Sequence, residues 1–138
     1  MPVTNVKSTW VSGNLIFTDN DGNQLLAIKT DGVEATSRVR ELTVSGAISP
    51  GVESIELNHA TVAVVTTIAD LSNHQGLLVI KDTSATGTAA HTVTATTGTF
   101  DGTNNVLTLN ALNEAIAIYI DSAGNGTILE NVGSVAIS

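Results

Sequence analysis

The segment "NEAIAIYIDSAGNGTILEN", residues 113–131, holds alanine, isoleucine, leucine and glutamate, which can build a helix, yet its apolar residues alternate as a strand's do. Side chains alternate with period two along a strand, so Ile116, Ile118 and Ile120 point one way and Ala115, Ala117 and Tyr119 the other. A helix over the same window would have no clean polar face. Both faces of the strand are therefore apolar. A sheet in a two-layer sandwich meets the core with one face only, so the second apolar face requires a cover. Two covers are open: the N-terminal arm or a loop of the same chain, or another copy of the chain. On the second reading Ala115, Ile116, Ala117, Ile118, Tyr119 and Ile120 form the candidate subunit interface. The following "SAGNG" is a hairpin turn. Gly124-Asn125-Gly126 looks like a fragment of a phosphate loop, but it leads into a strand, so no helix N-terminus is there to hold an anion.

Short runs of the same kind recur on either side. "VESIEL", "TVAVVTTI", "LLVIKD", "HTVTAT", "VLTLN", "AIAIYI", "TILENV" and "SVAI" read as strands, joined by the glycine-, asparagine- and serine-rich loops "SNHQG", "SATGT", "TFDGTNN" and "SAGNG". No convincing helix interrupts them, which disfavours parallel βαβ folds. The expected class is all-β, with a body at residues 52–138 of two packed sheets in an antiparallel sandwich. Ahead of it, residues 1–51 read as an arm (1–12), a small β-hairpin module around "DNDGN", and a linker "VSGAISPG" containing the second of the chain's two prolines. In the arm and hairpin Val3, Val6, Trp10, Val11, Leu15, Ile16 and Phe17 are the apolar groups able to grip a neighbour.

Composition narrows the partners. The 138 residues suffice for a self-supporting core, and only 13% are charged, against about a quarter in a typical domain. Five basic against thirteen acidic residues give a net charge of −8, which disfavours nucleic acid and anionic membrane surfaces. The absence of cysteine removes disulfides, thiolate metal sites and cysteine nucleophiles. No stretch approaches the length of a membrane-spanning apolar run, and "MPVTNVKSTW" has no signal-peptide core.

Catalytic and metal constellations do not emerge. His59 and His74 flank an expected strand whose ends would lie about 30 Å apart, too far to share an ion, and His91 heads another strand. In "DNDGN", Asp19, Asp21 and Asn23 copy the first ligand positions of a calcium loop, but Gln24 replaces the required glycine and no glutamate closes the loop. No serine sits in a Gly-x-Ser-x-Gly elbow, and Glu53 and Glu56 fall on opposite faces of their strand. Trp10, Phe17, Phe100 and Tyr119 are scattered over different elements, which argues against an aromatic sugar platform. The reading is of a non-enzyme without cofactors or metal.

From Leu57 to Ser138 the chain resembles small structural proteins of tailed bacteriophages, especially capsid decoration (cement) proteins, in the ordered features "GLLVIKDTSA", "TGTFDGTNNV", "NEAIAIYIDSAGNGT" and "ENVGS". The front part, "STWVSGNLIFTDNDGNQLLAIKTDG", is similar to leaders of phage virion proteins. The resemblance implies a jelly-roll-like sandwich that forms homotrimers and sits on the outer capsid surface. There it would bridge subunits of the major capsid protein, having been assembled in the cytoplasm of a bacterial host. It supplies no catalytic residues. A tail-fibre or baseplate module is the nearest alternative, and a carbohydrate-binding β-sandwich for host attachment is the next.

Overall fold

A computed structural model describes residues 6–19, 24–29, 32–35 and 39–138. The chain divides into two compact units, Met1–Arg38 and Val39–Ser138. The boundary thus precedes the glycine- and proline-containing segment in which the sequence places a linker. That segment contributes a strand to the second unit.

The first unit is an antiparallel meander of β1 (Lys7–Val11), β2 (Asn14–Thr18), β3 (Gln24–Lys29) and β4 (Gly32–Ala35), hydrogen-bonded in that order. Ser12 and Gly13, with φ of 50° and 80°, make the two-residue turn between β1 and β2. Positive φ at both central residues matches the twist of the flanking strands, so the turn makes Lys7–Val11 of the expected arm a hairpin strand. Val3 and residues 20–23 of "DNDGN", with Asp21 and Asn23, lie outside the described residues.

The second unit is all-β and sandwich-like. Its front sheet has the order β13 (Gly126–Val132), β12 (Ala115–Ile120), β9 (Gly76–Asp82), β7 (Ser54–Leu57) and β5 (Val39–Leu42). Its back sheet has the order β14 (Ala136–Ile137), β11 (Val106–Leu109), β10 (His91–Ala95), β8 (Val65–Ile68) and β6 (Gly46–Ile48). Every strand read from the body's sequence is present. β5 and β6 are additions: β6 has three residues, and β5 buries only Leu42, so neither shows a period-two pattern.

Pairing within the sheets is mixed. β5, β7 and β9 run parallel in the front sheet, and β6, β8 and β10 run parallel in the back one. Successive strands alternate between the sheets, so from Val39 to Ala95 the chain winds as a two-sided coil. The outward trip in one sheet is the crossover that returns the chain, in the same direction, to the other. Only after β10 does the direction reverse: β11 pairs antiparallel with β10, β12 with β9, β13 with β12 and β14 with β11. A jelly-roll would pair its strands antiparallel throughout.

One core lies between the sheets. Ile55, Leu57, Leu78, Ile80, Ile116, Ile118 and Ile120 from the front meet Ile48, Ile68, Val93, Leu107 and Leu109 from the back, with Phe100 and Leu71 closing one end. Each fully buried aliphatic side chain contributes about 1.5–3 kcal/mol by leaving water. Leu71 is held there by a short 3-10 turn, Leu71–His74, whose first residues are capped by Asp70 accepting from Ser72 N at 2.9 Å.

Candidate association surface

Strand β12 splits cleanly between core and surface. Ile116, Ile118 and Ile120 are buried in the chain's own core, while Ala115 and Ala117 are half-buried and Tyr119 is 51% exposed on the outer face. The isoleucine side is therefore unavailable to a neighbour. Of the six residues proposed for a subunit contact, Ala115, Ala117 and Tyr119 remain.

Cross-strand register shows what surrounds them. On β9, Lys81, Val79 and Leu77 stand opposite Ala115, Ala117 and Tyr119, and on β13, Val132 stands beside Ala115 and Glu130 beside Ala117. The small alanines between larger neighbours leave a groove of about 250 Å³ lined by Val79, Ala115, Ile116, Ala117, Glu130 and Val132. A bulge opposite Ala117 and Ile118 inserts Leu129 as an extra residue. Bulges of this kind re-aim side chains at a sheet edge. Leu129 is 60% exposed, Leu77 52% and Val132 47%, so with Tyr119 they extend the groove into an apolar patch. Leu77, Val79, Leu129 and Val132 were not picked out from the sequence, although "LLVIKD" is apolar on both faces in the same way as "AIAIYI".

Beyond the patch the outer face turns acidic. Lys81 is followed across the sheet by Glu56 and then Glu41, whose carboxylate accepts from Asn58 Nδ2 at 2.7 Å.

The hairpin that aligns β12 and β13 is fixed by Asp121. Its Oδ1 accepts from Ala123 N and Asn125 N, both at 2.8 Å. These bonds, that from the Asn125 backbone foremost, hold its carboxyl below the usual range, and the backbone and then the side-chain bond from Asn104 do the same for Asp101 in its loop. Gly126 opens β13 where the Phe100 carbonyl packs against its Cα, leaving no room for a Cβ. The "GNG" signal thus marks a tight turn and a close backbone approach.

The first unit's candidates are distributed over one hairpin. Val6, Trp10 and Val11 are exposed, Trp10 at 71%, whereas Leu15, Ile16 and Phe17 on β2 are half-buried.

The second unit holds a buried polar cluster. His91 Nδ1 accepts from Val64 N at 2.9 Å, which places the neutral ring's proton on Nε2, 3.8 Å from Asp82 Oδ1. Ser84 N donates to that same oxygen at 2.8 Å, while Asp82 Oδ2, Ser84 Oγ and His91 Nε2 have no hydrogen-bond partner. Serine, histidine and aspartate meet here, but all are buried and no Ser84 Oγ to His91 bond forms, so the arrangement gives a substrate no access to a nucleophile. His74 is turned to the Val52 carbonyl at 2.8 Å, and His59 Nδ1 accepts from Val62 N at 2.9 Å. Among the described residues no group of three histidine, aspartate or glutamate side chains converges as a metal site. The chain matches no family model and no curated protein.

Proposed function

We propose that this is a structural protein of a tailed-phage virion, a capsid decoration protein that sits on the outer head surface and stabilises it by bridging major capsid subunits. The observation that carries the reading is the apolar groove and patch on an outer sheet face, where a sandwich surface is ordinarily polar. A groove floored by Ala115 and Ala117 takes an aliphatic side chain of a protein neighbour, and Leu77, Tyr119, Leu129 and Val132 exclude water around it. The second grip is the β1–β2 hairpin with its exposed Trp10, repeated on each copy of a homotrimer so that weak contacts combine. The reading assigns no catalysis, cofactor, nucleic acid or membrane, and places assembly in the bacterial cytoplasm.

Ala117→Arg tests it by filling the groove with a charge. The variant should fold, because the change is on the outer face, and should fail to join particles in a reconstitution assay. Undiminished incorporation would overturn the assignment of the surface. A tail-fibre module remains the second reading, favoured by one observation: parallel coil winding is suited to elongated shafts because each added coil repeats the last.

A further inference from the structure

The two outer faces of the sandwich differ in charge, and that difference assigns them to different partners. No Asp, Glu, Lys or Arg occurs in any strand of the back sheet, in a chain of net charge −8. Its outward side chains are small and neutral: Val65 and Thr67 on β8, Thr92 and Thr94 on β10, Val106 and Thr108 on β11, each alternating with a buried residue. Register places them in rows. Thr108, Thr92 and Val65 form one and Val106, Thr94 and Thr67 the other. On the front sheet Glu41, Glu56 and Glu130 share the outer side with Lys81, while Arg40, also exposed, alternates to the other side of the edge strand β5.

We infer that copies of this chain associate with each other through the outer face of the back sheet, leaving the front groove for an unlike partner. Every charge on a self-contact is multiplied by the number of copies that meet there. Two or three front faces brought together would confront their glutamates, at a cost that grows as water is excluded. The back face brings none. Threonine and valine suit a flat sheet-to-sheet contact, since their methyl groups pack and the threonine hydroxyls bond across or to trapped water. The face spans roughly 20 by 15 Å, a few hundred Å². A stable pairwise interface takes about 800 Å² per partner, so a contact of this size is weak between two copies and gains from a closed ring. The inference does not depend on the particle being a phage head.

The absence of cysteine makes the test direct. Full-length Thr94→Cys and Tyr119→Cys variants would be treated with a short bis-maleimide at high micromolar concentration. Thr94→Cys should yield covalent dimers and Tyr119→Cys should remain single. Light scattering should show the mass of Thr94→Glu falling two- or three-fold to that of a monomer with an unchanged melting temperature. If Thr94→Glu fails to fold, Thr67→Lys supplies the same readout at the next position in the row. Cross-linking through Tyr119→Cys alone, or through neither, overturns the inference, as does an oligomer that survives a charge at both Thr94 and Thr67.

Discussion

At Ser84 the fold keeps a hydroxyl that is buried and unpartnered. Such a group loses its bonds to water and gains nothing in return, so Ser84→Ala should leave stability unchanged or raise it by about 1 kcal/mol. A loss of that size in chemical denaturation would mean that the hydroxyl bonds to something in solution. Gly126 is the opposite case. The Phe100 carbonyl occupies the space of a Cβ, and Gly126→Ala should cost about 1–3 kcal/mol by forcing β13 away from it. Equal stability of Gly126→Ala and the parent in the same experiment would show that the approach is looser. The lowered carboxyls of Asp101 and Asp121 set a pH dependence. A group whose folded pKa lies below its unfolded value contributes stability above the unfolded value and loses it as pH falls through the folded one. Melting temperature should therefore show no loss from these groups between neutral pH and about pH 4, and a loss below that. Asp121→Asn should show a shallower acid limb, and an unchanged limb would remove Asp121 from the account.

Among the elements, the strands of the body were legible in the sequence because period-two alternation and turn residues report on each strand alone. "HTVTAT" and "VLTLN" each put one face inward, and so they do. Which strand lies beside which is not written in that pattern. The coil from β5 to β10 keeps the same inward and outward alternation as an antiparallel sandwich, so the parallel pairing stayed hidden. β6 was hidden for another reason: Gly46-Ala47-Ile48 is too short to show a period and sits among turn-forming residues. β1 does carry a sequence signal, the Ser12-Gly13 pair that makes a two-residue hairpin turn. The candidate site was half legible. The two-faced strand Ala115–Ile120 identified the right element, but only the structure shows that β9 and β13 complete the groove. Trp10 gives the prediction at this scale: as the most exposed large apolar residue of the β1–β2 hairpin, Trp10→Ala should weaken particle binding by about 2 kcal/mol per grip while leaving the melting temperature unchanged. An unchanged titration against particles would assign the grip to the groove alone.

For the whole molecule, three features belong together: a net charge of −8, a core closed within the second unit, and a sandwich with an apolar groove beside glutamates on one outer face and uncharged strands on the other. On the proposed reading the net charge opposes non-specific clumping of free copies, and the two faces would join the protein to a larger assembly without exposing its core. The described residues offer no metal set, so chelation should leave the melting temperature unchanged, and a fall of more than a few degrees with EDTA would direct attention back to "DNDGN". Decoration of a capsid lattice, as proposed, is read from the copy number per purified virion by quantitative mass spectrometry against the major capsid protein. Decoration of a lattice predicts hundreds of copies in a fixed ratio to that protein, whereas a handful per particle would contradict the account and assign the chain to the tail.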